Sequence, residues 1–179
     1  SIFTTSSDTE VFLHLMARSR AADVVGALRD ALARVRGAYS IVLLSREKVI
    51  AARDPQGIRP LTLGRLGSAH VIASETCAFD LIDAEPVRDV EPGEIVIINE
   101  HGLQSLQAFP EQTRRAFCIF EYVYFARPDS TIADLNVYKV RVEMGRQLAR
   151  ENRIEADIVV PVPDSGNCAA LGYSLESGI

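Results

Sequence analysis

The sequence predicts two parts of different fold class, an α+β part over residues 1–115 and the beginning of an α/β part over residues 116–179. Two helical patterns followed by a series of short strands predict a layered α+β arrangement for the first part. After it, helical and strand patterns alternate, as they do in α/β domains. The polar segment 109–115, which contains Pro110, separates the two patterns and marks the expected domain boundary.

Two helices are expected at the start of the first part. Ser7 and Glu10 form the Ser-x-x-Glu pattern of a capping box, so a helix should begin near Asp8 and hold Asp8 in its first turn. Apolar residues at helical spacing predict a second helix over residues 22–36, and Gly37 supplies its stop.

Short strands follow these helices. Runs rich in β-branched and aromatic residues predict them, and polar turn residues separate the runs. The last two runs, on either side of residues 99–102, form the pattern of a β-hairpin. The expected strands cover residues 39–44, 48–52, 61–63, 70–73, 94–98 and 103–107.

The second part shows the patterns of a helix, a strand and a further helix. Helical spacing predicts a helix over residues 137–151, and the β-branched run 156–162 is typical of a strand buried within a parallel sheet. Another helix is expected over residues 169–175. A strand, a loop and a helix in this order are typical of the opening of a nucleotide-type α/β domain.

The composition is that of a soluble globular protein. Its 179 residues are 47% hydrophobic and 24% charged, enough for one large domain or two smaller ones. The net charge of -5 is made of both signs mixed along the chain, which argues against nucleic acid and membrane surfaces as partners. No apolar run approaches the roughly 18 to 20 residues that cross a bilayer, so a cytoplasmic location is predicted.

The cysteines and histidines form no metal or catalytic pattern of their own. The cysteines lie far apart without a Cys-x-x-Cys pair, so reduced thiols are expected. The histidines are scattered, and each is expected to be structural or solvated. These residues are Cys77, Cys118 and Cys168, and His14, His70 and His101.

The loop after the run 156–162 is a candidate anion site. Asp164, Ser165 and Gly166 precede the expected final helix, where backbone N–H groups and the helix dipole favour a phosphate. The Ser165 hydroxyl could bind such a group or a magnesium ion, and Gly166 allows close approach of the backbone. From local sequence alone, the simpler interpretation is an ordinary turn with Asp164 or Ser165 as the N-cap.

Several strings of this sequence resemble one enzyme family. Residues 120–130, which read Phe-Glu-Tyr-Val-Tyr-Phe-Ala-Arg-Pro-Asp-Ser, resemble the opening of the transferase domain of the amidophosphoribosyltransferase family. Residues 53–61, which read Arg-Asp-Pro-Gln-Gly-Ile-Arg-Pro-Leu, resemble a stretch of glutamine amidotransferases with an N-terminal cysteine nucleophile, and in looser form asparagine synthetases. Taken alone, this string is a loop whose two arginines are expected to be solvated or salt-bridged. Shorter matches in the family's order fall at residues 5–10, 73–78, 137–145 and 162–165.

The resemblance covers essentially the whole chain and implies a fold for each part. Residues 1–115 would be the C-terminal portion of an N-terminal-nucleophile glutaminase domain of αββα fold. Residues 116–179 would be the N-terminal portion of a phosphoribosyltransferase domain. The chain contains neither the family's N-terminal cysteine nor the acidic pair that binds the ribose hydroxyls. We therefore expect an internal fragment that carries no catalytic residue and is inactive alone.

The resemblance also implies an activity for the complete protein. Members of the family convert phosphoribosyl pyrophosphate, glutamine and water to 5-phosphoribosylamine, pyrophosphate and glutamate, in the first committed step of de novo purine synthesis. One domain would release ammonia from glutamine, and an interior channel would carry it to the other. Purine nucleotides would act as feedback inhibitors, and the complete protein would be a homo-oligomer.

Four positions receive roles in substrate binding from this resemblance. Asp8 corresponds to the aspartate that holds the α-amino group of glutamine, although a first-turn acid can also simply stabilise its helix by about 0.3 to 1 kcal/mol. Asp164, Ser165 and Gly166 correspond to the family's pyrophosphate loop, and Ser165 also to a position at the magnesium site.

Cys118 corresponds to a cysteine that ligates a 4Fe-4S cluster in some members of the family. Such clusters usually need four cysteine ligands, so the remaining ligands would have to lie outside this chain. A buried free thiol between Phe117 and Ile119 is the alternative, and both interpretations stay open. Cys77 and Cys168 have no such counterpart and are expected in the core.

Two other functions compete with this one. Another class II glutamine amidotransferase, such as a relative of the asparagine synthetases, would share residues 53–61, but residues 120–130 argue against it. A non-catalytic nucleotide-binding domain would use the Asp164 loop for its ligand. That alternative predicts that this chain alone binds a phosphorylated compound.

Overall fold

The computed structural model describes residues 3–109 and 115–179. Contacts group the chain into two compact units, the first formed by Ser1–Gly57 and Glu91–Arg115 and the second by Ile58–Val90 and Ala116–Ile179. The expected boundary segment 109–115 falls largely on residues 110–114, which lie outside the described residues. The division into domains at residues 1–115 and 116–179 stays a prediction.

Among the described residues, the elements begin and end with a pair of helices, and the strands lie between these pairs. The five α-helices and nine strands are, in chain order, α1 (Glu10–Ala17), α2 (Val24–Leu32), β1 (Ser40–Leu44), β2 (Lys48–Arg53), β3 (Thr62–Leu66), β4 (Ala69–Ala73), α3 (Cys77–Asp80), β5 (Glu85–Asp89), β6 (Glu94–Asn99), β7 (Gly102–Gln107), β8 (Thr131–Ile132), β9 (Leu135–Asn136), α4 (Val137–Glu151) and α5 (Gly166–Ser177). A π-helical turn, Glu121–Phe125, lies between β7 and β8. All strand pairs among these elements are antiparallel, as the α+β class predicts.

The first unit is built on a four-stranded sheet of order β1-β2-β6-β7. The predicted hairpin is confirmed, since β6 and β7 pair from Glu94 opposite Gln107 to Asn99 opposite Gly102. Apolar side chains of the helices pack on one face of this sheet and exclude water from it. The buried core consists of Leu28, Leu32, Tyr39, Ile50, Ala52, Ile95, Ile97 and Ala108.

Helix α1 does not begin as the capping box predicts. Its first residue is Glu10, so Asp8 lies before the helix, and the N-cap residue Thr9 makes no side-chain capping bond. The Glu10 carboxylate accepts hydrogen bonds from Thr4 and Thr5 instead. The prediction that Asp8 lies in the first turn is wrong because these upstream donors take up the carboxylate that a capping box requires.

The second unit contains a three-stranded sheet of order β4-β3-β5 and the short pair β8-β9. The predicted helix over residues 137–151 is confirmed by α4, and α5 begins before the predicted residue 169. These two helices approach closely, because a Cβ built on Gly145 would overlap the carbonyl of Ala169, and one on Gly172 would overlap the carbonyl of Val142. Glycine is therefore required at both positions of this helix pair.

The predicted buried strand over residues 156–162 is not formed. No strand is assigned there, and the side chains of Ile158, Val160 and Val162 are 72%, 73% and 81% exposed. A β-branched run favours extended backbone, but a strand also needs a neighbour to accept its hydrogen bonds. No described residue pairs with this run. No helix of the described ranges has the length and apolar character needed to cross a membrane.

Candidate functional site

Asp8 lies in the turn that leads into α1. Its side chain is exposed, and the Thr9 hydroxyl lies 3.5 Å from Asp8 Oδ1, at the edge of hydrogen-bond distance. The backbone around it is fixed, since Val11 N donates to Asp8 O and Glu10 N donates to Ser7 O. The Asp8 carboxylate therefore faces solvent, while a hydrogen bond from the first turn of α1 holds the Asp8 backbone.

The Glu10 carboxylate binds the residues that precede this turn. Its Oε1 accepts from the N–H and hydroxyl of Thr4 at 2.8 and 3.0 Å, and its Oε2 accepts from those of Thr5 at 2.9 and 2.7 Å. These bonds, led by the one from Thr4 N–H, lower the pKa of Glu10 to about 2 because they stabilise its ionised form. Two threonines placed before an acidic residue are the sequence signal that could have indicated this role.

The string at residues 53–61 begins with a tight, buried turn. Gly57 N donates to Asp54 O, and Asp54 Oδ1 accepts from Gln56 N at 2.9 Å. Arg53 Nη2 donates to the carbonyl of Gly57 at 3.1 Å, and Arg53 is only 7% exposed. Of the two expected states of Arg53, solvated or salt-bridged, the solvated one is excluded, because its guanidinium is buried and donates to the backbone of its own turn.

The second arginine of this string pairs with the string at residues 120–130. Arg59 Nε lies 2.7 Å from Glu121 Oε1, an ion pair without the alignment of a hydrogen bond, and Arg59 also lies over the ring of Phe125. Glu121 is buried in the π-helical turn. Burial raises the pKa of Glu121, Arg59 opposes this rise, and Glu75 adds to it.

Glu75 lies in segment 73–78, which also resembles the family, and it contacts the segment 120–130. Its Oε2 accepts from Arg127 N at 2.8 Å and from the Ser130 hydroxyl at 2.7 Å. The hydroxyl of Thr76 accepts from Thr131 N at 2.8 Å. The carboxylate and hydroxyl thereby fix the backbone that follows the π-helical turn.

The segment 137–145, which also resembles the family, contributes a buried arginine to the second unit. Arg141, 3% exposed, donates to the carbonyls of Tyr122 and Ala126. The Tyr122 hydroxyl donates to the carbonyl of Ile132 at 2.7 Å. Strings that are far apart in sequence therefore converge in the second unit, which sequence reasoning did not foresee.

The candidate anion loop precedes α5. Ser165 is the N-cap residue of this helix by position, but its side chain makes no capping bond. Gly166 N donates to Val162 O, Asn167 N donates to Asp164 O, and the peptide bond between Pro163 and Asp164 is cis. A Cβ at Gly166 would meet only Pro161, at 3.8 Å, so packing within the chain does not require glycine there.

Cys118 is half-buried beside the π-helical turn. Its N–H donates to Ile58 O, and its carbonyl accepts from Glu121 N. Cys77 and Cys168 are buried, as expected of core residues. Within residues 3–109 and 115–179, no three or more His, Cys, Asp or Glu side chains gather where they could hold a metal ion.

Two of the three histidines lie beside carboxylates. His14 Nε2 lies 3.2 Å from Glu10 Oε1, and exposed His101 lies 3.5 Å from Glu100. The Nδ1 atom of His70 is buried without a hydrogen-bond partner in the described part of the chain.

Known proteins match this chain over its whole length. The glutamine amidotransferase domain family matches residues 1–80. The amidophosphoribosyltransferase of Bacillus subtilis strain 168 is 46% identical over 179 residues, and that of Rhizobium etli is 51% identical over 185 residues. Each alignment covers 100% of this chain and 37% of the relative.

Solved structures agree with these matches. The glutamine phosphoribosylpyrophosphate amidotransferase of B. subtilis complexed with ADP and GMP superposes with a TM-score of 0.95 and 46% identity, over 100% of this chain and 39% of that one. A structure described as the allosteric regulatory enzyme of purine biosynthesis gives the same TM-score and identity, over 38% of its chain.

The fold and these matches show that residues 1–80 are similar to the glutamine amidotransferase domain. The chain is homologous over its whole length to the amidophosphoribosyltransferases, so the resemblance seen in its motifs is confirmed. The chain spans about 37% of the length of the curated relatives it matches. A relative of the asparagine synthetases is not favoured.

Proposed function

We propose that this chain is part of an amidophosphoribosyltransferase. The complete protein would convert phosphoribosyl pyrophosphate, glutamine and water to 5-phosphoribosylamine, pyrophosphate and glutamate, in the first committed step of purine synthesis. The observation that carries this proposal is the end-to-end match, at 46% identity and a TM-score of 0.95, to a solved enzyme whose description names the same phosphoribosyl substrate.

Asp8 would hold the α-amino group of glutamine. Its exposed carboxylate on a fixed backbone supports this role, since an ammonium group needs an accessible anionic partner. Its position outside α1 weakens the alternative in which it serves mainly to stabilise the first turn of that helix.

Asp164, Ser165 and Gly166 would form the pyrophosphate loop. The Ser165 hydroxyl makes no capping bond, and Asp164 is exposed, so both side chains are available to a ligand. The open space at Gly166 supports the same role, because a glycine that internal packing does not require leaves room for close approach of a phosphate.

Magnesium fits this loop as a companion of the substrate. Mg²⁺ prefers oxygen ligands and is usually held by one or two protein groups together with substrate phosphates and waters. Ser165 and Asp164 would supply those oxygens, and the ion would neutralise charge on the pyrophosphate. An iron-sulfur role for Cys118 would need its other ligands from outside the described residues, so no step of the reaction is assigned to a cluster.

The finer assignments follow the same relatives. The first part would be the C-terminal portion of an αββα glutaminase domain, and the second the N-terminal portion of a phosphoribosyltransferase domain. The solved B. subtilis enzyme is described with ADP and GMP bound, which supports purine nucleotides as feedback inhibitors of the complete protein. Its homo-oligomeric state and cytoplasmic location stay predictions.

The products formed by the complete protein that carries this chain test the proposal. We expect glutamate and pyrophosphate to appear in equal amounts when glutamine, phosphoribosyl pyrophosphate and Mg²⁺ are all present. Glutamate without pyrophosphate would point to another glutamine amidotransferase. If the complete protein turns over neither substrate while this chain alone binds a nucleotide, the non-catalytic alternative is correct.

A further inference from the structure

We propose that Glu10 is a positioning residue for glutamine, which acts by holding the turn that presents Asp8. This inference rests on the proposed function, because it takes Asp8 as the group that binds the α-amino nitrogen of glutamine. Nothing in the motif itself assigns this role to Glu10, which the capping-box pattern predicts to be a helix cap.

The geometry of Glu10 is that of a clamp between the two ends of a short loop. Each of its oxygens accepts two hydrogen bonds from one threonine, Thr4 for Oε1 and Thr5 for Oε2, one from the backbone N–H and one from the hydroxyl. His14 Nε2 also lies 3.2 Å from Oε1. Because Glu10 begins α1, the helix and the residues before Asp8 are joined through one carboxylate. Its side chain is only 11% exposed, so water competes little for these oxygens.

Further bonds extend the clamp to Asp8 itself. The Thr5 hydroxyl, which donates to Glu10, also accepts from Ser7 N at 3.2 Å. Ser7 O accepts from Glu10 N, and Asp8 O accepts from Val11 N. Hydrogen bonds therefore hold the Asp8 backbone both through Ser7 and Thr5 and through the first turn of α1, while the Asp8 carboxylate stays exposed.

A fixed carboxylate binds a cation better than a mobile one, because less conformational entropy is lost when the ligand binds. Glu10 makes no contact with Asp8 Oδ1 or Oδ2 among the described hydrogen bonds. Its removal should therefore weaken glutamine binding without changing the groups that react. The signature of such a residue is a higher KM for glutamine at nearly unchanged kcat.

Steady-state kinetics of the complete protein test this role, with glutamate release as the readout and ammonium-dependent pyrophosphate release as the internal reference. Glu10→Gln replaces one acceptor oxygen by a donor that faces threonine donors, and we expect it to raise KM for glutamine about tenfold with kcat nearly unchanged. Thr5→Val should raise KM about threefold through loss of its hydroxyl, and Thr5→Ser should restore it.

Asp30→Asn is the matched control. It removes another exposed carboxylate of the same unit, which accepts a hydrogen bond from the Ser19 hydroxyl and has no described hydrogen bond to residues 4–10. KM should not change in this variant. Asp8→Asn tests the role of Asp8 separately from that of Glu10. An unchanged KM for glutamine in this variant would overturn the assignment of Asp8.

If Asp8→Asn raises KM while Glu10→Gln leaves it unchanged, the positioning role is wrong. If Glu10→Gln fails to fold, the Thr5 pair decides, since both variants keep the Glu10 carboxylate. Equal KM values for Thr5→Val and Thr5→Ser would then overturn the inference, and a higher value for Thr5→Val alone would support it.

Discussion

Arg59 Nε lies 2.7 Å from Oε1 of Glu121, and the same guanidinium lies 4.6 Å from the centroid of the Phe125 ring. The Glu121 side chain is 1% exposed, whereas that of Arg59 is 44% exposed. Arg59 therefore neutralises a buried charge from the solvent side. This pair joins two strings, residues 53–61 and 120–130, that identified the family.

Removal of Arg59 should destabilise the second unit. Arg59→Ala leaves Glu121 buried without its partner and removes the contact with Phe125. Loss of one partner of a buried ion pair costs about 3 to 5 kcal/mol, and we expect about 2 kcal/mol here because Arg59 is partly solvated. Urea unfolding followed by circular dichroism measures this change.

Arg59→Lys is the matched control for that variant. It keeps the charge but loses the planar group that lies over Phe125, so we expect about half the effect of Arg59→Ala. Equal unfolding free energies for wild type and Arg59→Ala would show that the pair contributes nothing to stability.

The pH dependence of stability should reveal the buried state of Glu121. Burial raises its folded-state pKa above the ordinary value of 4.5. Its contribution to stability is therefore fully present below pH 4.5 and is lost as the pH rises through the raised pKa. We expect Glu121→Gln to gain stability relative to wild type as the pH rises from 4.5 through the raised pKa. A constant difference across this range would contradict the shift.

Glycines of the second unit should respond to alanine according to their surroundings. Gly145→Ala and Gly172→Ala each place a methyl group against a helix carbonyl, and we expect a loss of about 1 to 3 kcal/mol for each. Gly166→Ala is the control, because its Cβ would meet only Pro161. Thermal unfolding compares the three. Equal melting temperatures for all three variants would show that α4 and α5 do not pack this closely.

Glu10 should titrate far below an ordinary glutamate. Its hydrogen bonds to Thr4 and Thr5 lower its pKa to about 2, whereas His14 is the titratable side chain that lies beside it. The stability that it contributes is present above pH 4.5 and is lost as the pH falls towards 2. A carbon NMR titration of the Glu10 carboxyl should give a midpoint near 2, and a midpoint at 4.5 would show that the clamp is absent.

Local patterns predicted the regular elements of this fold well. Helical spacing gave α4 with its observed ends, and the hairpin β6-β7 followed from two runs around a turn. Strand β5 was missed because Glu85–Asp89 contains a proline and charged residues, and only its pairing with β3 makes it a strand. The strand predicted over residues 156–162 is absent for the opposite reason, since this run has strand-forming residues but no partner strand in the described part of the chain.

The candidate site was predictable only in part. The substrate-binding roles of Asp8 and of the loop at Asp164 came from the resemblance, because local sequence favoured a helix-stabilising acid at Asp8 and an ordinary N-cap turn at Asp164. The clamp by Glu10 was hidden because a carboxylate three residues after Ser7 reads as a capping box. The contacts of Arg59 with Glu121 and of Glu75 with Ser130 depend on the tertiary fold, and no local pattern reports them.

A comparison of two nitrogen donors tests the central claim most directly. Pyrophosphate release from phosphoribosyl pyrophosphate is measured for the complete protein with glutamine and then with ammonium. We expect Asp8→Asn to raise KM for glutamine without changing the ammonium reaction, and Ser165→Ala to slow both reactions about tenfold or more. A wild-type protein that releases no pyrophosphate with either donor would contradict the assignment to the amidophosphoribosyltransferases.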